Sequence, residues 1–270
     1  MITPENFAGG EAGEQVPFEA DVTGLNDNYR DILASEYGLG VIGDRLTGAL
    51  TPERHHLATV DVGFVKVNPT VPAENVVSRL DNYTPNNTSQ AQMHTIAKRL
   101  VGYHAVARMA GVIFCGPAGV GKTHIAVGCA KFSLMQGQKT FYMNMERTGQ
   151  VANSKMAERV ATEADFVIID DMNSVLGGGA DFFRSLVSAM HDKGNGKLMV
   201  TSNFASPGDL IHGLMNGPLM DAAAKARLYD RIAGGLLGHV VEGDSYRQKK
   251  RDTNGPWWME ESPAQRYDER

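Results

Sequence analysis

The segment GPAGVGKT at residues 116–123 constrains the fold of this chain more than any other stretch. It follows a short apolar run, GVIFC (111–115), and it opens into a helical pattern that extends to Gln136. The segment fits GxxxxGK[ST], in which the glycines let the backbone turn so that its amides face a phosphate chain. The dipole of the following helix favours negative charge at the same place. A glycine-rich turn that matches by chance is the alternative, but the strand before it and the helix after it favour a phosphate site.

The side chains of this loop predict how a nucleotide is held. We expect Lys122 to reach the β- and γ-phosphates and the Thr123 hydroxyl to ligate Mg²⁺. The expected cofactors are therefore ATP and Mg²⁺. The residues expected to contact the nucleotide are Gly116, Pro117, Ala118, Gly119, Val120, Gly121, Lys122, Thr123 and His124.

A site of this kind also needs a carboxylate at the end of a neighbouring strand, and the run FVIIDD supplies two. We expect Asp170 to hold Mg²⁺ and Asp171 to orient the attacking water. An acidic helix cap after a buried strand is the alternative for both. Asn203 ends a later apolar run and is placed to bond the γ-phosphate or the water, although Ser-Asn after a strand is also a common turn.

Apolar runs alternate with helical patterns from residue 89 onward. Such alternation is typical of an α/β fold in which helices cover both faces of a mainly parallel sheet. The glycines at 177–179 are expected to form a flexible loop near the nucleotide. Strands are expected at 111–115, 139–145, 166–170, 197–203 and 238–243, and helices at 91–109, 122–136, 151–163 and 181–191.

Residues 1–87 have a different pattern and form a smaller N-terminal region. Residues 1–30 hold six acidic residues and one basic residue, which accounts for the whole net charge of −5. An acidic start that contains Gly and Pro is typical of a disordered tail. Beyond it, a helix is expected at 28–38 and strand-like alternation at 55–69. The stretch 85–90 is expected to be a linker in which Thr88 or Ser89 caps the next helix.

Composition excludes several classes of protein. The hydrophobic fraction of 42% and the charged fraction of 21% are ordinary for a soluble globular protein. No stretch approaches the roughly 18 apolar residues of a membrane span, and the start lacks the pattern of a secretory signal. The two cysteines, Cys115 and Cys129, predict neither a disulfide framework nor a zinc site. We therefore predict a cytoplasmic protein with no membrane association.

Six segments in order resemble the AAA+ ATPases of the DnaC/DnaI replicative-helicase loaders and the related IstB transposition helpers. They are SQAQMHTIAKRL, GPAGVGKTHIA, FVIIDD, TSN, RLYDRI and GDSYR. The resemblance implies an AAA+ P-loop fold, hydrolysis of ATP to ADP and phosphate, and an oligomer of this chain with ATP sites between subunits. It also implies a Walker A lysine at Lys122, a Walker B pair at Asp170 and Asp171, and a sensor-1 asparagine at Asn203.

Three arginines complete the expected site. Arg227 and Arg231 are four residues apart, so on a helix they share a face, and a solvated face is the alternative reading. The resemblance implies an arginine finger at Arg231, with Arg227 less favoured, that adds positive charge to the transition state of a neighbouring subunit. It further implies a sensor-2 arginine at Arg247.

The resemblance implies a task in DNA processing. The expected function is to load or remodel a DNA-processing partner, in the first place a replicative helicase during DNA replication. The alternatives are an IstB-like helper that binds DNA and recruits a transposase, and a nucleotide-gated scaffold with little turnover. Asp171 stands where the second Walker B acid is often Glu, which implies slow hydrolysis. Weak single-stranded DNA binding is expected through residues 248–251, for which a solvated tail is the alternative.

The chain is thus predicted to have three parts. Residues 1–87 are an N-terminal region that binds a partner, residues 88–251 are the AAA+ ATPase core, and residues 252–270 are a C-terminal tail.

Overall fold

The computed structural model describes residues 14–102, 109–148, 152–174, 177–215 and 220–246. The first part of this chain forms an antiparallel sheet with two helices. Its elements are β1 (Val16–Asp21), α1 (Asp27–Tyr37), β2 (Gly40–Ile42), β3 (Arg45–Leu50) and α2 (Pro52–Val67). The strand order is β1-β3-β2. Asn26 caps α1 and Thr51 caps α2, each by accepting a hydrogen bond from an amide in the first turn.

The expectation of a disordered acidic start is wrong for residues 14–30. Phe18 on β1 and Tyr29 on α1 are both buried in the hydrophobic core. The charged residues of this stretch lie on the outer faces of elements whose inner faces are apolar, so a composition count misses the pattern. Residues 1–13 lie outside the described residues.

The strand-like alternation expected at 55–69 is also wrong, because this stretch belongs to α2. Its buried residues include Ala58, Val62 and Val65, which recur at intervals of four and three and therefore share one helix face. Pro52 at the first helical position and Thr51 at the N-cap are the start signals that override the local alternation.

The second part of the chain contains a five-stranded sheet. After a short 3₁₀ turn at Ala73–Asn75, its elements are α3 (Thr88–Gly102), β4 (Ala110–Cys115), α4 (Lys122–Met135), β5 (Thr140–Asn144), α5 (Met145–Thr148), α6 (Ser154–Glu163), β6 (Phe166–Asp170), α7 (Gly177–Lys193), β7 (Lys197–Ser202), α8 (Pro207–Met215), α9 (Ala222–Gly235) and β8 (Leu236–Val240). The strand order is β5-β6-β7-β4-β8, and every pairing between these strands is parallel. The five strands predicted from the sequence are therefore confirmed, with ends that differ by up to three residues.

Helices cover both faces of this sheet, as the sequence predicts. Val112 and Phe114 on β4 pack into a hydrophobic cluster that includes α3, α4 and the N-terminal elements. Ile113 and Cys115 pack into a second cluster that includes α6, α7, α8 and α9. Alternate residues of one strand thus serve opposite faces, which explains why the strands read as continuous apolar runs.

The N-terminal region packs on the same core as the sheet. Asp61 on α2 and Lys131 on α4 form a buried ion pair with an Oδ1–Nζ distance of 2.6 Å. Phe64 on α2 contacts Tyr142 on β5 edge to face, with ring centroids 5.8 Å apart. The division at residues 87 and 88 stays a prediction.

Two smaller expectations are wrong. Helix α3 begins at Thr88. The Gln90 amide in its first turn donates to the Asn87 side-chain oxygen at 2.8 Å, so Asn87 is the cap in place of Thr88 or Ser89. The Ser89 hydroxyl instead donates to the Val240 carbonyl at 2.9 Å. The glycines at 177–179 are the first turn of α7 and not a loop.

Several predicted positions lie outside the described residues. They are Arg247, the basic residues 248–251 and the tail 252–270. Within the described ranges, no helix is long and apolar enough to cross a membrane. The same ranges contain no group of three or more His, Cys, Asp or Glu side chains placed to hold a metal ion.

Candidate nucleotide site

The glycine loop between β4 and α4 has a backbone that other residues could not adopt. Gly116 has a φ of 140°, and a Cβ there would lie 2.1 Å from the Val241 carbonyl oxygen. Gly121 has a φ of 96°, and a Cβ there would lie 2.6 Å from the Tyr83 ring. As the N-cap residue of α4, Gly121 also offers no side chain to cap the helix. The positive end of the helix dipole is therefore left to an anion.

Lys122 lies at the centre of the site with 4% of its surface exposed. Its ammonium group donates to the carbonyls of Gly116 and Pro117, both at 2.8 Å, and to the Asn203 side-chain oxygen at 3.1 Å. Burial lowers the pKa of Lys122 to about 8, against the opposing effect of Asp171 and Asp170. The ammonium is charged at neutral pH but poorly solvated, so a phosphate would stabilise it.

Asp170 ends β6 and is fully buried. Its Oδ1 accepts hydrogen bonds from the hydroxyls of Thr201 at 2.5 Å and Thr123 at 3.3 Å, and its Oδ2 accepts one from Tyr142 at 2.8 Å. Burial and the neighbouring charge of Asp171 raise the pKa of Asp170 to about 6, and the three hydroxyl donors oppose that rise. The three hydroxyl donors thus stabilise the ionised form of this buried carboxylate.

The side-chain oxygens of Thr123 and Asp170 could both ligate one magnesium ion. Both are hard oxygen donors, and the two oxygens are 3.3 Å apart. Adjacent ligands of an octahedral Mg²⁺ ion are separated by about 3 Å, given metal–oxygen distances near 2.1 Å. The pair meets this requirement after a shift of a few tenths of an ångström.

Asp171 has a φ of 55°, in the left-handed region. Its amide donates to the Thr201 hydroxyl at 3.0 Å, and its Oδ2 accepts from the side-chain amide of Asn144 at 3.0 Å. Asp tolerates this backbone better than most residues, and such outliers cluster at functional sites. Asn144 is buried at the end of β5, and no motif marks it in the sequence.

The loop borders a cavity of about 560 Å³. One wall of this cavity is formed by residues outside the predicted site, namely Pro72, Glu74, Asn75, Asn82, Tyr83, Thr84 and Tyr246. The Tyr83 hydroxyl donates to the Val120 carbonyl at 3.2 Å, and the Tyr246 amide donates to the Gly119 carbonyl at 2.9 Å. These residues contribute shape and single contacts with the loop, and of the seven only Tyr246 lies in a segment that carries the resemblance, GDSYR.

His124 is one of the predicted nucleotide contacts, and the structure gives its ring protein partners. The imidazole Nε2 is 3.0 Å from the Arg79 carbonyl oxygen and 2.9 Å from the Asn82 side-chain oxygen. It also lies beside the Tyr83 ring, with centroids 5.2 Å apart. His124 therefore fastens the wall of the cavity to α4, and a direct contact with the nucleotide stays a prediction.

The structure does not bring Arg227 and Arg231 to the cavity of their own chain. Among the described residues that line the cavity, neither is present. Arg231 pairs with Asp192 at 2.9 Å, and Arg227 is exposed. Asp192 lies near the end of α7, just before β7 begins. This ion pair is therefore at the amino ends of the parallel strands, whereas the glycine loop is at their carboxyl ends. Action of Arg231 on a neighbouring subunit stays a prediction.

Comparison with known proteins identifies the family. The model of the IstB-like ATP binding proteins matches residues 70–254. The chain belongs to this family. The match begins 18 residues before residue 88, where the ATPase core is predicted to start, and it includes the residues of the cavity wall.

Two curated relatives are ATP-binding proteins of insertion sequences. That of IS21 from Pseudomonas aeruginosa is 25% identical over 171 residues, which cover 59% of this chain and 61% of the relative. That of IS5376 from Geobacillus stearothermophilus is 21% identical over 165 residues, which cover 57% and 62%. The matched part thus spans about three fifths of the length of these relatives.

Two solved structures share the fold. DnaI has a TM-score of 0.51 and 18% identity, over 65% of this chain and 94% of DnaI. A primosome component from Streptococcus pyogenes has a TM-score of 0.50 and 18% identity, over 66% and 93%. The likeness shows that about two thirds of this chain share a fold with these proteins.

Proposed function

We propose that this protein binds Mg-ATP in the cavity beside the glycine loop and hydrolyses it to ADP and phosphate. The observation that carries the proposal is the convergence of Lys122, Thr123, Asp170 and Asn203 at one edge of the sheet. Asn203 and Asp170 follow different strands, yet Asn203 bonds Lys122 and Asp170 bonds Thr123. A cation, a hydroxyl, a carboxylate and an amide in mutual contact are the groups that phosphoryl transfer requires.

Each side chain has a role in this mechanism. Lys122 and the amides of the loop bind the terminal phosphates, while Thr123 and Asp170 hold Mg²⁺, which supplies charge neutralisation when it is bound. Asp171 orients the attacking water and accepts its proton. Asn203 exchanges its bond with Lys122 for one to the γ-phosphate or the water. Arg231 of a neighbouring copy adds positive charge, so catalysis requires an oligomer.

A nucleotide-gated scaffold with little turnover is the second candidate. Asp171 is one methylene shorter than a glutamate, and Asn144 holds its Oδ2 at 3.0 Å. Both features favour slow hydrolysis. A turnover number near the rate of spontaneous ATP hydrolysis, together with tight Mg-ATP binding, would establish the scaffold.

The site is tested first by Lys122→Ala, which removes the cation that faces the phosphates. We expect the affinity for a fluorescent ATP analogue to fall by at least about 100-fold, as expected when a buried charged contact is lost. Lys155→Ala removes an exposed lysine on α6 and is the matched control. Equal affinity in both variants would remove the phosphate-loop assignment.

The partner is a DNA-processing protein in this proposal. Family membership and the two insertion-sequence relatives favour a transposition helper, and we place it ahead of the helicase loader. The fold shared with DnaI is compatible with either task. Affinity purification from the native host in the presence of Mg²⁺ and a slowly hydrolysed ATP analogue, with Lys122→Ala as control, separates them. Nucleotide-dependent recovery of a transposase supports the helper, and recovery of a replicative helicase supports the loader.

A further inference from the structure

The two oxygens of Asp170 accept hydrogen bonds from different elements, Oδ1 from α4 and β7 and Oδ2 from β5. Thr123 and Thr201 both bond Oδ1, the oxygen that faces α4 and the proposed metal. Oδ2 accepts a hydrogen bond from the Tyr142 hydroxyl at 2.8 Å, its one side-chain donor among the described residues. Tyr142 lies on β5 with 5% of its surface exposed, so bulk water does not replace this bond.

Loss of that bond would leave one carboxylate oxygen buried without a donor. An unpaired charged oxygen is costly in a protein interior, and the terminal torsion of an aspartate is soft. The carboxylate would therefore rotate to recover a partner, and Oδ1 would lose its placement beside Thr123. The position of the metal-binding oxygen thus depends on a hydroxyl that lies on the far side of the carboxylate.

The ring of Tyr142 is held in turn by the N-terminal region. Phe64 on α2 packs against it edge to face at 5.8 Å and 68°, and Phe64 itself is 2% exposed. Asp61 and Phe64 of α2 both contact Lys131 of α4 at this place. Asp61 forms the buried ion pair with Lys131, and the Lys131 ammonium lies 5.6 Å from the centre of the Phe64 ring. Helix α2 is therefore in contact with both the strand and the helix that carry the site.

We propose that Tyr142 is a positioning residue for the metal-binding carboxylate of Asp170 and that Phe64 of the N-terminal region holds Tyr142 in place. The inference rests on the proposed Mg-ATP site and extends it. Residues 14–67 contribute to the metal side of the nucleotide site through this contact. Displacement of α2, for example by a bound partner, weakens the binding of Mg²⁺ with the nucleotide and leaves metal-free binding unchanged.

The test compares the dissociation constant of a fluorescent ATP analogue in Mg²⁺ with that in EDTA, on the full chain. Tyr142→Phe keeps the ring contact and removes the hydroxyl. We expect its affinity in Mg²⁺ to fall about tenfold, the order expected for a lost hydrogen bond to a charged group, with affinity in EDTA unchanged. Phe64→Leu keeps the hydroxyl and removes the ring contact, and it should give a smaller loss of the same kind.

Two variants control for a general loss of stability. Tyr29→Phe removes a buried hydroxyl of α1 that bonds the carbonyls of Pro69 and Val71 and contacts neither Asp170 nor Tyr142. Phe18→Leu shortens a buried ring of β1. Both should lower the melting temperature without changing the ratio of the two dissociation constants.

Several outcomes would overturn the inference. They are an unchanged ratio in Tyr142→Phe, an equal loss in Mg²⁺ and in EDTA, or the same change in Tyr29→Phe. An effect of Tyr142→Phe without one of Phe64→Leu overturns the part assigned to the N-terminal region. If Tyr142→Phe fails to fold, the ratio in Phe64→Leu decides. A wild-type chain that binds no nucleotide overturns the proposed function as well, whereas normal binding with an unchanged ratio overturns this inference alone.

Discussion

At the scale of single residues, Asp171 combines a role in the proposed chemistry with an unusual backbone. Its φ of 55° is tolerated by Asp and Asn, so Asp171→Asn removes the charge without a change of backbone. We expect ATP affinity to stay within a few-fold, since Asp170 is untouched, while the rate of hydrolysis falls about 100-fold or more, as for loss of a general base. Steady-state phosphate release and nucleotide titration measure the two effects. An unaffected rate would mean that Asp171 serves only the turn.

The pKa of Asp170 makes the site sensitive to pH. Burial raises that pKa to about 6, so the carboxyl is protonated below this pH and ionised above it. Because only the ionised form ligates a cation, we expect the half-saturating concentration of Mg²⁺ for nucleotide binding to rise about tenfold for each pH unit below 6. Titrations of the nucleotide with Mg²⁺ in the absence of protein correct for ionisation of the phosphates. No dependence between pH 5 and 7 would contradict this assignment.

At the scale of elements, helix α9 places its two arginines away from the cavity of the same chain. Arg231 is held by Asp192 of α7, which gives it a defined position on the molecular surface. We expect Arg231→Ala to bind ATP normally and hydrolyse it poorly. Mixing this variant with Asp171→Asn should restore part of the ATPase rate, because one type of mixed interface then contains both intact groups.

Asp192→Asn separates the catalytic role of Arg231 from a structural one. This variant loses the ion pair with α7 but keeps the arginine, so it should keep most of its ATPase activity. An equal loss of ATPase activity in Arg231→Ala and Asp192→Asn would mean that Arg231 acts only through its structural ion pair with Asp192. A lack of rescue at every mixing ratio would argue against action across a subunit interface.

At the scale of the whole molecule, the N-terminal region and the sheet are joined by the ion pair of Asp61 and Lys131. Both side chains are almost fully buried. Asp61 also accepts a hydrogen bond from Tyr37 at 2.6 Å and pairs with Arg79 at 3.3 Å, so removal of Asp61 leaves the buried Lys131 and also Arg79 without this carboxylate. We expect Asp61→Leu to lower the free energy of unfolding by about 3–5 kcal/mol, and the double variant with Lys131→Met to recover part of that loss. Urea unfolding, read by fluorescence and by circular dichroism, measures both.

A surface pair provides the control for this experiment. Asp181 pairs with Arg184 on α7 and its side chain is 52% exposed, so Asp181→Ala should cost less than about 1 kcal/mol. A similarly small cost for Asp61→Leu, or separate transitions for the two parts of the chain, would mean that the N-terminal region is not coupled to the core.

The sequence by itself determined the nucleotide loop, the alternating strands and the order of the sheet-forming runs. These features depend on local requirements, since a phosphate loop needs glycines at fixed spacing and a buried parallel strand needs a continuous apolar run. The glycine spacing therefore predicts the roles of Gly116 and Lys122, and the apolar run 166–169 predicts the place of Asp170. A count of acids over residues 1–30 gives a wrong prediction for residues 14–30 because it ignores which face of an element each residue occupies.

Only the tertiary structure decided which distant residues complete the site. Tyr83 reaches the loop from a segment with no motif and Tyr246 from the segment GDSYR, while Asn144 and Tyr142 reach the two aspartates from a neighbouring strand. Their contribution is a single hydrogen bond or a packed ring, which many residue types could make at many positions along a chain. Such contacts are specified by the pairing of strands and the packing of helices. The physical reason is that a local spacing encodes a backbone shape, whereas proximity between distant segments exists only after the chain has folded.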